Sequence, residues 1–260
     1  MSFKVTDRFE VRNFKMEDRG LSGVNYLDFL ARYHKLAKPR TYFEIGTNIG
    51  HSFRLASCRK VAVDPEFKFK FDPVGASSAV HLFQTTSDNF FRDYDLNDFL
   101  PGGVDLAFLD GLHLFEFLLR DFMNAEKFVN DDSVFFLHDC FPVNDEITAR
   151  EWTTEGRQIA ETRGWWAGDV WKLLPILRDY RPDLEVQILD CPPTGLVVIR
   201  GMNPNSTALR ESYDTIVDRY SSIAFKDYGQ DRFYFEFPTT LSEPVFMPEG
   251  MRGFFRRSEI

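Results

Sequence analysis

The feature that most limits the folds open to this chain is a series of short, sheet-prone runs alternating with helix-like segments. Thr41 to Ile45, Lys60 to Val63, Val80 to Phe83, Val104 to Leu109 and Val134 to Leu137 are each brief and rich in β-branched or aromatic residues. Between them, Gly50 to Ser57, Asp88 to Leu100 and Phe115 to Val129 read as helices. Gly46, Asp64-Pro65, Pro101-Gly102-Gly103 and Asp132-Ser133 punctuate the units. The fourth and fifth runs are apolar on both faces, so both faces must be covered by other elements. That pattern predicts an α/β fold with a doubly wound, mostly parallel sheet. Two later runs, Glu185 to Leu189 and Leu196 to Ile199, are joined by a link containing Pro192-Pro193. The link suits a hairpin, so the last of seven strands is expected to be antiparallel.

Other segments frame this core. Ser22 can cap a helix from about Gly23 to Ala37, which Lys38-Pro39 ends. Further helices are expected near Asp145 to Arg163, Val170 to Tyr180 and Asn205 to Tyr220, with an irregular aromatic tail from Phe225 to Ile260. The organisation read from this is an N-terminal helical extension (1–40), a core (41–200) and a C-terminal helix and tail packing on the core (201–260). With 43% hydrophobic residues, 28 of the 260 residues being Phe, the chain can fill a sizeable interior.

Composition removes several function classes. A net charge of -9 with no long Lys/Arg run is a poor basis for binding nucleic acid unaided. Cys58, Cys140 and Cys191 are odd in number and widely spaced, which argues against a structural zinc site or redox pair. The first ten residues lack a signal-peptide core, and no apolar run reaches the ~18 residues of a membrane span. The expectation is a cytoplasmic protein without membrane contact, with a homo-oligomer left open.

The segment Glu44-Ile45-Gly46-Thr47-Asn48-Ile49-Gly50 joins the first strand to its expected helix. In doubly wound sheets, ligands sit at the carboxyl ends of strands, near the point where strand order reverses. Gly46 permits a tight turn and leaves room for a ligand, and Gly50 lets a helix start close to the sheet. Counted from Gly46, the second and third glycines of a dinucleotide fingerprint would be Asn48 and His51, both bulky. Glu44 at the strand end suits a cationic ligand and repels phosphate. Asp64, 20 residues further on, can accept hydrogen bonds from ribose hydroxyls. S-adenosylmethionine (SAM) carries an ammonium and a sulfonium and no phosphate.

These motifs resemble those of the class I SAM-dependent methyltransferases over roughly Thr41 to Arg200. The resemblance implies a Rossmann-like core in which Glu44 sits near the methionine ammonium and Asp64 holds the ribose. It also implies that Gln84 to Asp88, with Thr86 and Ser87, flanks adenine. Ser87 and Asp88 read equally well as a plain helix cap.

The fourth and fifth strands end in Asp110-Gly111-Leu112-His113 and His138-Asp139-Cys140. Their side chains can converge on the same sheet edge, and carboxylate and imidazole groups suit a divalent cation. The D-G-x-H stretch resembles metal-dependent methyltransferases of sugars and natural products. There it implies Asp110 as metal ligand, His113 as general base and Asp139 as second ligand. His138 stands where that branch has an acid, so the candidate metal set is Asp110, His138 and Asp139, with Mg or Mn as the ion. Other readings stay open: Asp110 as a cofactor contact, His113 as a helix cap, His138 as a satisfied strand-end histidine. Trp165 to Lys172 resembles a G-D-V-W-K stretch of the same branch, with Asp169 capping a helix, Trp171 packing on the sheet, and Trp165 or Trp166 facing substrate.

The function expected is O-methylation of a small polar acceptor, sugar or natural-product-like. Two readings compete with it, an NAD(P)-dependent oxidoreductase and a non-catalytic nucleoside-binding member of the fold.

Overall fold

In this computed structural model, residues 21–247 together with Gly250 and Phe254 are described. The charged N-terminal stretch Met1 to Gly20 and most of the tail beyond Met247 lie outside them.

The seven runs form a single sheet. Its strands are β1 (Thr41–Ile45), β2 (Arg59–Val63), β3 (Val80–Phe83), β4 (Val104–Leu109), β5 (Val129–Leu137), β6 (Glu185–Leu189) and β7 (Leu196–Arg200). Their order is β3-β2-β1-β4-β5-β7-β6. The first five are parallel, and β7 is antiparallel to both β5 and β6. Strand order reverses between β1 and β4, which opens a crevice at their carboxyl ends.

Alternation along the strands feeds two cores. Phe43, Ile45, Leu109, Phe135 and Leu137 pack on one face with α3 (Phe115–Ala125) and α4 (Leu173–Tyr180). Tyr42, Phe108 and Phe136 pack on the other with α1 (Tyr26–Ala37). Phe29 and Tyr33 of α1 meet the Phe136 ring edge-on.

Several local expectations need correction. Asn25, not Ser22, caps α1, its side chain accepting from the Leu27 N–H at 3.0 Å. Gly50 opens no α-helix, since only a 3-10 turn, Phe53–Leu55, comes after it. Gly50 instead has φ +75°, and a Cβ there would lie 2.6 Å from the Phe69 ring. Asp88 to Leu100 divides into α2 (Ser87–Asp93) and a 3-10 turn, Leu96–Asp98.

Asp145 to Arg163 is largely irregular, with 3-10 turns at Glu146–Thr148 and Ala160–Thr162. Its residues Glu151 to Glu155 are all exposed, so no apolar stripe draws a helix onto the core. The Glu146 carboxylate accepts from the backbone of Gln158 and Ile159 and ties the loop across instead. β5 begins five residues early because a bulge between Val104 and Leu106 absorbs Asn130 to Ser133.

The C-terminal region is helical rather than irregular to Glu236, in α5 (Ala208–Glu211), α6 (Tyr213–Tyr220), α7 (Phe225–Tyr228) and α8 (Gln230–Glu236). Phe225, Phe233, Tyr234 and Phe237 are buried in the first core and Phe254 in the second, so this tail straps the sheet on both sides. Among the described residues no helix is long and apolar enough to cross a membrane.

Candidate active site

A cavity of about 550 Å³ opens at the carboxyl edge, across the reversal point. It is within the size range of small-molecule and cofactor sites. The turn after β1 forms one wall. Gly46 has φ +84°, and a Cβ there would sit 1.9 Å from the Asp110 carbonyl oxygen. Only glycine lets the first turn press against the end of β4. Asn48 is also left-handed, φ 45°, and its N–H donates to Asp64 Oδ2 at 2.8 Å. Asp64 Oδ1 accepts from the Glu66 N–H at 2.7 Å, so the carboxylate pins two loops while still lining the cavity.

Thr86 and Ser87 also line the cavity, and Thr86 rather than Ser87 caps α2 through the Asn89 N–H. Asp88 is engaged by the Arg120 guanidinium at 2.7 Å.

Glu44 does not reach the cavity wall. It is fully buried on the α1 side of the sheet, accepts from the Tyr42 hydroxyl, and its Oε1 has no hydrogen-bond partner. Burial raises its carboxyl to about 8, against the opposing pull of the Tyr42, Ser52 and Thr47 hydroxyls. Thr47 and Ser52 in turn line the cavity, so Glu44 stands directly behind it.

At the other end, β4 and β5 bring four groups together. His113 Nε2 lies 3.4 Å from Asp110 Oδ1 and 3.3 Å from Asp139 Oδ2. His138 Nδ1 lies 3.4 Å from each of the same two oxygens. Asp139 is held at φ 58°, unusual for a side-chain-bearing residue, and Thr194 donates to its Oδ1 at 2.6 Å. One atom each of Asp110, His113 and Asp139 falls within 4.8 Å of the others, a spacing that could hold a metal ion. That set contains His113, which the sequence marks as base, and omits His138.

The charges reinforce one another. Burial disfavours the His113 cation, but Asp110 and Asp139 outweigh it and hold the imidazole at about 9. The same two carboxylates hold His138 well above its ordinary value despite complete burial. Burial would raise Asp110, yet His138 and His113 keep it well below the usual carboxylate range.

Sequence reading named Trp165 or Trp166 as substrate-facing but missed three contributions: the hold of Trp166 on His113, Tyr26 and Asp121. The Trp166 carbonyl accepts from His113 Nδ1 at 2.7 Å, which leaves Nε2 facing the carboxylates. Gly168 makes this contact feasible, because a Cβ there would lie 1.8 Å from the His113 carbonyl oxygen. Trp166 lines the cavity, whereas Trp165 does not. Tyr26, the first residue of α1, also lines it and lies over His138 with ring centroids 4.2 Å apart. Asp121 of α3 is the third, an acid set among buried apolar positions, and that contrast was its signal in the sequence.

The G-D-V-W-K stretch is structural, and the helix that Asp169 caps is α3. Asp169 Oδ1 accepts from the Phe115 N–H at the start of α3, not from the helix that comes after it. Trp171 lies buried in the core on the first face of the sheet, where Phe225, Tyr228 and Phe233 of the C-terminal helices also meet its ring.

Residues 43–140, from β1 to just past β5, match a family described as "Methyltransferase domain". Over this stretch the chain is similar to that family. The stretch carries most of the cavity wall, from Ile45 to Asp121, with Glu44 and Asp139 behind it. No curated protein sequence matches the chain. Solved structures superpose in part. One is the SAH-bound methyltransferase of Podospora anserina, at 15% identity, 68% of this chain, 78% of that one and TM-score 0.48. Another is an O-methyltransferase of Bacillus cereus in complex with SAH, at 13%, 67%, 79% and 0.49. A third is an O-methyltransferase of tomaymycin synthesis from Streptomyces achromogenes in complex with SAM, at 16%, 74%, 92% and 0.48.

Proposed function

We propose that this methyltransferase domain uses SAM to methylate an oxygen of a small polar acceptor, sugar or natural-product-like. The observation that carries the reading is a single cavity joining two unlike ends. One end, Gly46 to Asn48 with Asp64, suits a nucleoside. The other, Asp110 and His113 with Asp139 against them, suits a hydroxyl that must lose a proton.

In this reading Asp64 accepts from the ribose hydroxyls through lone pairs left over from Asn48 and Glu66. The turn at Gly46 gives the amino-acid end of SAM access to backbone groups. Glu44, behind Thr47 and Ser52, supplies the balancing negative charge for the ammonium. Thr86 and Ser87 border the base. The bulk of Asn48 and His51, both on the cavity wall, argues against a dinucleotide with its pyrophosphate.

The cluster also fits a divalent cation. It offers two carboxylates and an imidazole, and Asp110 Oδ1 and both His138 nitrogens are buried without hydrogen-bond partners. Asp110, His113 and Asp139, or Asp110 and Asp139 with His138, would hold it, and a bound Mg or Mn ion would lower the pKa of a coordinated hydroxyl. Where the ion is held by Asp110, Asp139 and His138, or is absent, His113, oriented by the Trp166 carbonyl, is free to take the acceptor proton at Nε2 in its neutral form. Its carboxylate neighbours make it a stronger base and a scarcer one at neutral pH.

The test is methyl transfer from labelled SAM to a panel of hydroxylated sugars and phenols, before and after EDTA. Product on a hydroxyl supports the reading, and loss on chelation that Mg or Mn restores supports the ion. Full activity after exhaustive chelation removes the ion, and SAH binding without transfer to any acceptor favours a nucleoside-binding role.

A further inference from the structure

α3 turns two residues toward the nucleoside end of the cavity, Phe117 and, one helical turn later, Asp121. Asp121 is 2% exposed and sits among Leu118, Leu119 and Phe122. Its Oδ2 is held against the loop after β4, where a Cβ on Gly111 would come within 3.2 Å of it. Its Oδ1 has no hydrogen-bond partner. The neighbouring cation does not answer it, because Arg120 is turned away onto Asp88 at 2.9 and 2.7 Å. A buried acceptor left without a donor is costly, so a donor arriving with a ligand gains the whole of that penalty. Burial raises the Asp121 carboxyl to about 7 against the pull of the Ser87 hydroxyl, and that hydroxyl puts the acid beside the loop that borders the base.

We infer that Asp121 is the residue that selects the purine, its free oxygen accepting a hydrogen bond from the exocyclic 6-amino group of adenine. This assignment rests on the SAM reading of the cavity. Asp64 and Asp121 would then mark the two ends of the nucleoside, ribose at β2 and the amino edge at α3, with Phe117 beside the ring. A 6-oxo purine presents an oxygen at the same place, and above about pH 7, where the Asp121 carboxyl is ionised, two acceptors would face each other. Sites built to pair one polar group discriminate strongly against a ligand that lacks it.

The experiment is isothermal calorimetry at about pH 8.5, where Asp121 is ionised, with S-adenosylhomocysteine and its 6-oxo counterpart, S-inosylhomocysteine, on the whole chain and on Asp121→Asn and Asp121→Ala. The wild-type protein should prefer the 6-amino ligand by roughly tenfold or more. Asp121→Asn keeps the shape and adds an amide donor, so the preference should shrink to near unity or reverse. Asp121→Ala should lose preference without reversal. A wild-type ratio near one overturns the assignment with no variant needed. So does an Asp121→Asn protein that weakens both ligands equally and keeps the ratio, since that marks a structural role only. If the wild-type protein binds neither ligand, the SAM reading itself has failed, a result distinct from the other two.

Discussion

Gly46 and Asp110 touch where β1 and β4 part, so closely that a Cβ on Gly46 would lie 1.9 Å from the Asp110 carbonyl oxygen. Asp110 N–H in turn donates to the Ile45 carbonyl at 2.9 Å. The nucleoside turn and the reacting cluster are therefore one mechanical unit, and a disturbance at Gly46 must reach Asp110. Gly46→Ala should lower stability by about 1–3 kcal/mol from overpacking. It should also weaken binding of SAM and slow transfer. Denaturant melts and calorimetry check this, and a variant with wild-type stability and affinity contradicts it.

Glu44 gives a pH dependence with a definite sign. Its buried carboxyl is raised to about 8 from an ordinary 4.5. Between those values the folded chain keeps a proton that the unfolded chain has lost, so this group makes stability fall as pH rises through that window. Glu44→Gln cannot ionise, and its melting temperature should change less over the same range than the wild-type value. Equal slopes for the two proteins would refute the assignment. A cationic ligand should expel the proton, so the wild-type binding enthalpy below pH 8 should vary with the ionisation enthalpy of the buffer.

How much of the molecule is legible in its sequence varies with the physics involved. Apart from the early start of β5, the strands are readable almost to the residue, because apolar runs such as Val104–Leu109 have few alternatives to a covered sheet. The acids at strand ends are readable as well, since topology alone puts Asp64, Asp110 and Asp139 on one edge. The direction of Glu44 is not: it shares the Tyr42 face of β1, and which face meets the cavity depends on packing. The loop from Asp145 to Arg163 departs from its expected helix because Glu146 ties it through long-range hydrogen bonds that no local pattern reveals. Tyr26 enters the site from an element distant in sequence, and nothing in its own neighbourhood announces it.

His113 is held by Trp166 on one nitrogen and faces Asp110 and Asp139 with the other. If it removes the acceptor proton, His113→Ala should cut methyl transfer by roughly 10²–10⁴-fold. Affinity for SAH should stay close to the wild-type value. Unchanged turnover would exclude the base role, and an equal loss of SAH binding would make it a structural residue of the cavity.

Asp169 and Lys172 form an ion pair at 2.8 Å with side chains only 3% and 2% exposed. The same aspartate caps α3 through Phe115 and, by its backbone N–H, holds the His113 carbonyl at 3.1 Å. Asp169→Ala strands a buried ammonium and an orphan N–H, so it should destabilise the fold by about 3–5 kcal/mol. Chemical denaturation measures this directly. A near-wild-type midpoint would show that Lys172 finds water or another partner.

Calorimetric titration of the purified protein with SAM and SAH probes the whole proposal at its root. Both ligands should bind with a stoichiometry of one site per chain, and Asp64→Ala should weaken both, because ribose and the Asn48 turn lose the same carboxylate. No detectable binding of either ligand to the wild-type protein, or affinity indifferent to Asp64, would contradict the assignment of this cavity to a methyl donor.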